Sequence, residues 1–145
     1  LLFPAAAESE IAAAVEPSEE AWQGTGAILL IDDEEFVRIL GKRMMEQAGF
    51  EVITAANGRE GVELFRQNAA AVVCVLLDLT MPRMEGDEVI EQLRGIRPDI
   101  RIILSSGYEE PEVMPRFEGK NLSGFLQKPY SMEELLKALR AAFAE

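Results

Sequence analysis

Apolar positions fall along the chain in two periods. Short runs in which nearly every residue is hydrophobic, "AILLI" (27–31), "EVITA" (51–55), "AVVCVLL" (71–77), "RIIL" (101–104) and "GFLQ" (124–127), alternate with longer stretches of helical spacing. The first and third runs carry no polar residue, the pattern of parallel strands covered on both faces. Between the runs, Val37, Leu40, Met44 and Ala48 recur at helical spacing and predict one buried helix face. Val62, Phe65 and Ala69 do the same after the turn signal Asn57-Gly58, as do Val89, Leu93 and Ile96 before Pro98. The last helix opens on Ser131 and Glu134, spaced as a capping box, and offers Leu135, Leu139 and Phe143 to a core. Residues 108–122 hold Pro111 and Pro115, so only a short or distorted helix is expected there.

Five strands alternating with helices predict an α/β domain with a doubly wound, five-stranded parallel sheet of flavodoxin-like type and right-handed crossovers. The domain is expected over residues 26–145. Residues 1–25 are rich in Ala and Glu, contain Pro4 and Pro17, and end in "QGTG", the composition of an acidic linker or tail.

Composition narrows the function. The chain has 145 residues, 48% hydrophobic and 28% charged, which suits one packed domain. Its net charge is −12, and the five charges of the first 25 residues are all acidic, leaving 21 acidic and 14 basic side chains in the domain. Such a balance argues against direct nucleic-acid binding and favours a cation as companion. There is no histidine, so histidine-based catalysis and histidine-ligated zinc within this chain are excluded. The one cysteine, Cys74, sits in an apolar run and reads as a buried small hydrophobe, consistent with a reducing, cytoplasmic setting. No apolar stretch reaches the roughly 18 residues of a membrane span, and "LLFPAAAE" lacks the flanks of a signal peptide, so a soluble fragment without membrane contact is expected.

In an open α/β sheet, ligands bind at the carboxyl ends of the strands. The runs end in Asp32 and Asp33, in Asp78, in Ser105 and Ser106, and in Lys128. Three carboxylates at one edge repel one another unless a cation neutralises them. Hard Mg²⁺, which prefers oxygen ligands and keeps several waters, suits such a set. Asp78 could then keep one oxygen free as a nucleophile, with the lysine and a hydroxyl left to stabilise the oxygens of a phosphoryl group.

The acidic pair Asp32-Asp33, the string "DLTMPRMEG" from Asp78 to Gly86, "SG" at 106–107 and "KP" at 128–129 together resemble the receiver domains of bacterial two-component response regulators. The resemblance covers residues 27–144. It implies that Asp78 accepts a phosphoryl group from the phosphohistidine of a histidine kinase or its phosphohistidine domain. It implies that Asp33, Asp78 and the main-chain carbonyl of Thr80 bind Mg²⁺, with Asp32 acting through a metal-bound water. Ser106 and Lys128 would contact the phosphoryl oxygens, Phe125 would change rotamer on activation, and the Lys128-Pro129 bond would be cis. The irregular segment, the last strand and the last helix would form the output face, its two prolines departing from the family's regular helix. An isolated domain of this kind is a phosphorylatable switch rather than an enzyme. A histidine phosphotransfer protein is a further partner that the resemblance allows, as is a homodimer. The opening "LLFPAA" resembles the final strand of histidine-kinase ATP-binding domains, which suggests the carboxyl-terminal receiver of a hybrid sensor kinase.

Plainer roles compete with these. Asp32 and Asp33 could cap a helix, as Glu34 and Glu35 are expected to do at its positive end. Asp78 could start a turn before Pro82, and Ser105 and Ser106 could turn with Gly107. Phe125 suits a core position, and Tyr108 and Tyr130 read as surface or edge packing. An unphosphorylated pseudo-receiver acting as a binding module would keep the fold without the chemistry. An aspartate-nucleophile phosphatase would need a second acid two residues after the nucleophile, where this chain has Thr80. An FMN binder would need a Gly/Ser/Thr-rich phosphate loop after the first strand, which is missing.

Overall fold

The computed structural model describes residues 24–79 and 83–144. The expectations placed on residues 1–23, including the linker, and on Thr80 lie outside the described residues. The elements are β1 (Ala27–Ile31), α1 (Glu35–Gln47), β2 (Glu51–Ala55), α2 (Gly58–Asn68), β3 (Val72–Asp78), α3 (Arg83–Ile96), β4 (Arg101–Ser106), a single turn α4 (Glu110–Val113) followed by a 3₁₀ turn (Met114–Phe117), β5 (Gly124–Gln127) and α5 (Met132–Phe143). The strands form one sheet in the order β2-β1-β3-β4-β5, every pairing parallel. This is the doubly wound arrangement that the apolar runs predict.

The sheet's pleat divides its side chains between two cores. Leu29, Ile31, Val75, Leu77, Ile102 and Leu104 face α2 and α3, where they meet Val62, Phe65, Val89, Ile90 and Leu93. Their alternates Ile28, Leu30, Cys74, Leu76 and Ile103 face α1 and α5, against Met45, Leu135 and Leu139. A strand buried on both faces has no polar position to spare, which is why β1 and β3 read as unbroken apolar runs.

Local signals set the helix ends. Asn57 accepts the Glu60 amide at 2.8 Å while the Glu60 carboxylate accepts the Ala56 amide at 2.8 Å. At α5 the capping box is present, with Ser131 Oγ accepting the Glu134 amide and Glu134 accepting the Ser131 amide. α1 stops at Gly49, whose φ of +103° lets the Phe50 amide return to the Met45 carbonyl at 3.1 Å. Pro111 and Pro115 stand in the first turns of α4 and of the 3₁₀ turn, where a missing N–H costs nothing, and the segment is short as expected.

Two expectations are corrected. The buried face of α1 is Gly41, Met45 and Ala48, while Leu40 is 42% exposed beside the exposed Phe36 and Ile39. Of the four positions the spacing selected, Ala48 is buried, Val37 and Met44 are partly buried with Met44 packed on this core, and Leu40 alone turns outward. β4 runs two residues beyond "RIIL", so Ser105 and Ser106 belong to the strand and are buried rather than forming a turn with Gly107. Their backbones complete the sheet's upper edge. The Leu79 amide donates to Ser105 O at 2.8 Å and the Lys128 amide to Ser106 O at 2.7 Å.

The α1 correction can be tested by stability. Met45→Ala should cost about 2–5 kcal/mol in urea unfolding, the usual loss for a fully buried side chain. Leu40→Ala should change stability by no more than about 0.5 kcal/mol.

Candidate functional site

From β1 the chain winds outward to β2, then crosses back to β3 and continues on the other side. The reversal leaves a crevice outside the carboxyl ends of β1 and β3. Asp32 and Asp33 follow β1 directly, and Asp78 is the last residue of β3. One carboxylate oxygen from each lies within 4.8 Å of the others. Asp32 and Asp78 are fully buried, while Asp33 is exposed and faces solvent.

Lys128, just after β5, brings the balancing charge. Its ammonium lies 3.1 Å from Asp32 Oδ2, 3.1 Å from Asp78 Oδ1 and 3.2 Å from Glu34 Oε1. Backbone bonds hold these groups in place: the Asp32 amide donates to Ala55 O at 3.0 Å and the Lys128 amide to Ser106 O. The Lys128-Pro129 peptide is cis, as the resemblance implies.

The electrostatics follow from burial. Loss of water raises the Asp32 carboxyl to about 6, aided by the neighbouring Asp78 charge and opposed by the Glu34 amide and Lys128. Burial alone would lower the Lys128 ammonium, but the charges of Asp78 and Asp32 outweigh it and its pKa is raised. Tyr130, half-buried against the α1 and α5 core, is pushed up to about 12 by burial and the Asp32 charge. Cys74 is fully buried and its thiol pushed up to about 12, which makes it an inert core side chain as expected.

The structure therefore brings Asp32, Asp33, Asp78 and Lys128 together. Ser106 lies at the same edge, its Oγ accepting the Tyr108 amide at 3.0 Å. Phe125 is half-buried on β5 and packs on the α2 and α3 core. Tyr108 is 64% exposed. Sequence reasoning missed two participants. Glu34, expected only as a helix-end charge, reaches Lys128, and Arg38, one turn further along α1, donates from Nη1 to Asp32 O at 2.8 Å. The helical spacing of Glu34 and Arg38 places both above the β1 turn, and that is the one signal that could have found them.

Three carboxylates on one ammonium, with Asp33 beside them, leave negative charge in excess, and every candidate ligand is a hard oxygen. That donor set fits a Mg²⁺-type cation, which Asp32, Asp33 and Asp78 could hold.

Comparison with known proteins agrees. The model of the response regulator receiver domain family matches residues 28–140. The chain is 34% identical over 117 residues to the sensor kinase CckA of Brucella abortus, covering 81% of this chain and 12% of that protein. It is 36% identical over 114 residues to the transcriptional regulatory protein SrrA of Staphylococcus aureus, covering 79% of this chain and 46% of that one. A receiver domain structure from Clostridium thermocellum superposes with a TM-score of 0.74 at 27% identity, covering 82% and 94% of the two chains. The chain belongs to the response regulator receiver domain family and is a phosphoacceptor signalling domain of two-component systems. Receiver domains generally bind Mg²⁺ and interact with histidine kinases or phosphotransfer proteins. Among the described residues no helix is long and apolar enough to cross a membrane.

The raised Asp32 carboxyl has a consequence for stability. Its folded pKa, about 6, exceeds the ordinary 3.8, so its contribution is fully present below about pH 4 and is lost as pH rises through 6. That loss amounts to roughly 3 kcal/mol. With divalent ions chelated, Asp32→Asn should gain on the wild type by up to that amount between pH 4.5 and 7.5, read from urea unfolding at each pH. A difference independent of pH would contradict the burial argument.

Proposed function

We propose that Asp78 is the phosphoacceptor of this receiver, taking a phosphoryl group from the phosphohistidine of a histidine kinase or of a histidine phosphotransfer protein. The observation that carries the proposal is the position of Asp78: buried at the switch point, 3.1 Å from Lys128, and within 4.8 Å of Asp32 and Asp33. One Asp78 oxygen is engaged by the lysine, and the other attacks phosphorus as the donor's P–N bond breaks. The electron pair of that bond leaves with the imidazole nitrogen. Lys128 balances the charge of the phosphoryl oxygens, and the Ser106 hydroxyl offers them a further donor. Bound at Asp33, Asp78 and the Thr80 carbonyl, with Asp32 reached through a water, Mg²⁺ would neutralise charge as donor and carboxylate approach.

Surface chemistry supports a docking partner beside this edge. Phe36, Ile39 and Leu40 on α1 are 74%, 54% and 42% exposed. Phe36 and Leu40 border a pocket of about 280 Å³ between α1 and the Pro129-Tyr130 loop, with Glu34 and Lys128 at its rim. Apolar side chains left in water next to a phosphoacceptor suit contact with the protein that carries the phosphohistidine.

The segment after Ser106, β5 and α5 would form the output face, with Phe125 following Ser106. Its geometry departs from a regular helix, since only one turn of α4 and one 3₁₀ turn stand there. Similarity to the CckA sensor kinase supports placing this receiver at the end of a cytoplasmic hybrid kinase, preceded by the acidic stretch 1–25. The isolated domain would then be a substrate of the kinase and not an enzyme with turnover.

Incubation with Mg²⁺ and acetyl phosphate, followed by intact-mass measurement, should show one added phosphoryl group, labile to hydroxylamine. It should be absent without Mg²⁺ and absent in Asp78→Asn. Uptake at full stoichiometry by Asp78→Asn would assign the acceptor elsewhere, and a wild type inert to phosphodonors would favour the pseudo-receiver. Continuous phosphate release from many substrates would favour the phosphatase.

A further inference from the structure

An ammonium has three protons to donate. Here all three face carboxylates: Asp32 at 3.1 Å, Asp78 at 3.1 Å and Glu34 at 3.2 Å. Lys128 therefore has no donor in reserve for an incoming phosphoryl oxygen, and one of the three contacts must open as the phosphoryl group approaches, while Asp78 is still a carboxylate. The three are unequal. The Asp32 and Asp78 side chains are 0% exposed and cannot exchange the ammonium for water. The Glu34 side chain is 60% exposed and can exchange the ammonium for water at little cost.

We propose that Glu34 is a positioning residue that holds the third donor of Lys128 in the unmodified domain and yields it to the phosphoryl group. It thereby sets how readily Asp78 is phosphorylated. The proposal rests on Asp78 being the acceptor and adds a competitor to that reaction. Nothing in the acidic-pair motif demands this residue, because the contact depends on the turn between Asp33 and α1. There the Asp32 side chain accepts the Glu34 amide at 2.9 Å, and Arg38 draws α1 down onto the Asp32 carbonyl. Glu35, the next residue, is exposed with a similar net charge, and no contact from it to Lys128 is found.

The neutral isostere Glu34→Gln should phosphorylate from acetyl phosphate roughly two- to fivefold faster than the wild type at saturating Mg²⁺, the range an exposed ion pair is worth. Its affinity for beryllofluoride, a phosphoryl mimic, should rise by the same factor, with no matching shift in the unfolding midpoint. Glu35→Gln, which removes the same charge without touching Lys128, should leave both readouts at the wild-type value. Unchanged rate and affinity in Glu34→Gln would overturn the inference. Equal acceleration by Glu35→Gln would also overturn it, since general repulsion of the donor would then be the cause. If the wild type takes up no phosphoryl group at Asp78, the receiver chemistry itself fails, a result distinct from the other two.

Discussion

The structure depends on one costly arrangement, two carboxylates buried side by side at the switch point of the sheet and tied to a single ammonium. Asp32 and Asp78 have no exposed surface, and Lys128 meets both at 3.1 Å. In water such groups would repel weakly. Removed from water they need a partner, and the rest of the fold is arranged to hold that partner in place. β1 and β3 are adjacent and in register, which brings their ends to one depth, and β4 and β5 carry Lys128 back to the same edge. The apolar cores on both faces fix those strands, so the charges cannot move apart to relieve the strain.

This accounts for the local conflicts at the upper edge. A strand end with adjacent carboxylates is a poor choice for stability, and the raised Asp32 carboxyl records the cost. Cores without polar atoms lie below it, where the two faces of β1 and β3 contribute only hydrophobic side chains. Sites that break the local rules of folding are expected where a protein does its chemistry. Arg38 eases the conflict by placing a guanidinium on the Asp32 carbonyl, and Glu34 complicates it by adding a third claimant to the ammonium.

The sheet was legible because burial on both faces leaves an unmistakable run of apolar residues, and the site was legible because Asp32, Asp33, Asp78 and Lys128 each end such a run. Helix orientation was less so. On α1 the spacing that found Met44 and Ala48 also took in Leu40, which turns outward, and passed over Met45, which is fully buried. A glycine on the buried side conceals it further, because Gly41 lets the Tyr130 hydroxyl approach, with only 3.3 Å left for a Cβ there. Ser105 and Ser106 follow the fourth run directly, and the sequence left a turn with Gly107 open because polar residues inside a strand are tolerated only where a site needs them. The Glu34–Lys128 contact joins residues 94 positions apart and depends on the angle of the three-residue connection between β1 and α1, which no one-dimensional pattern carries.

The site reaches the distant face through the loop after β4. Ser106 has its hydroxyl bonded to the Tyr108 amide and its carbonyl bonded to the Lys128 amide, so it links the phosphoacceptor edge to the segment that follows. That segment is held to α3 along one helical face: Asp87 approaches Arg116 at 4.0 Å, Glu91 approaches Lys120 at 3.8 Å, and Arg94 donates to the carbonyls of Lys120 and Asn121 at 3.0 Å. The two ion pairs are long and only partly exposed, whereas Phe117 is buried in the core. A shift of the Ser106 hydroxyl would act first on the Tyr108 amide and α4, while Phe117 stays anchored. Val113 and Phe117 both anchor the segment in the core, while Pro111 and Pro115 deny it a continuous helix.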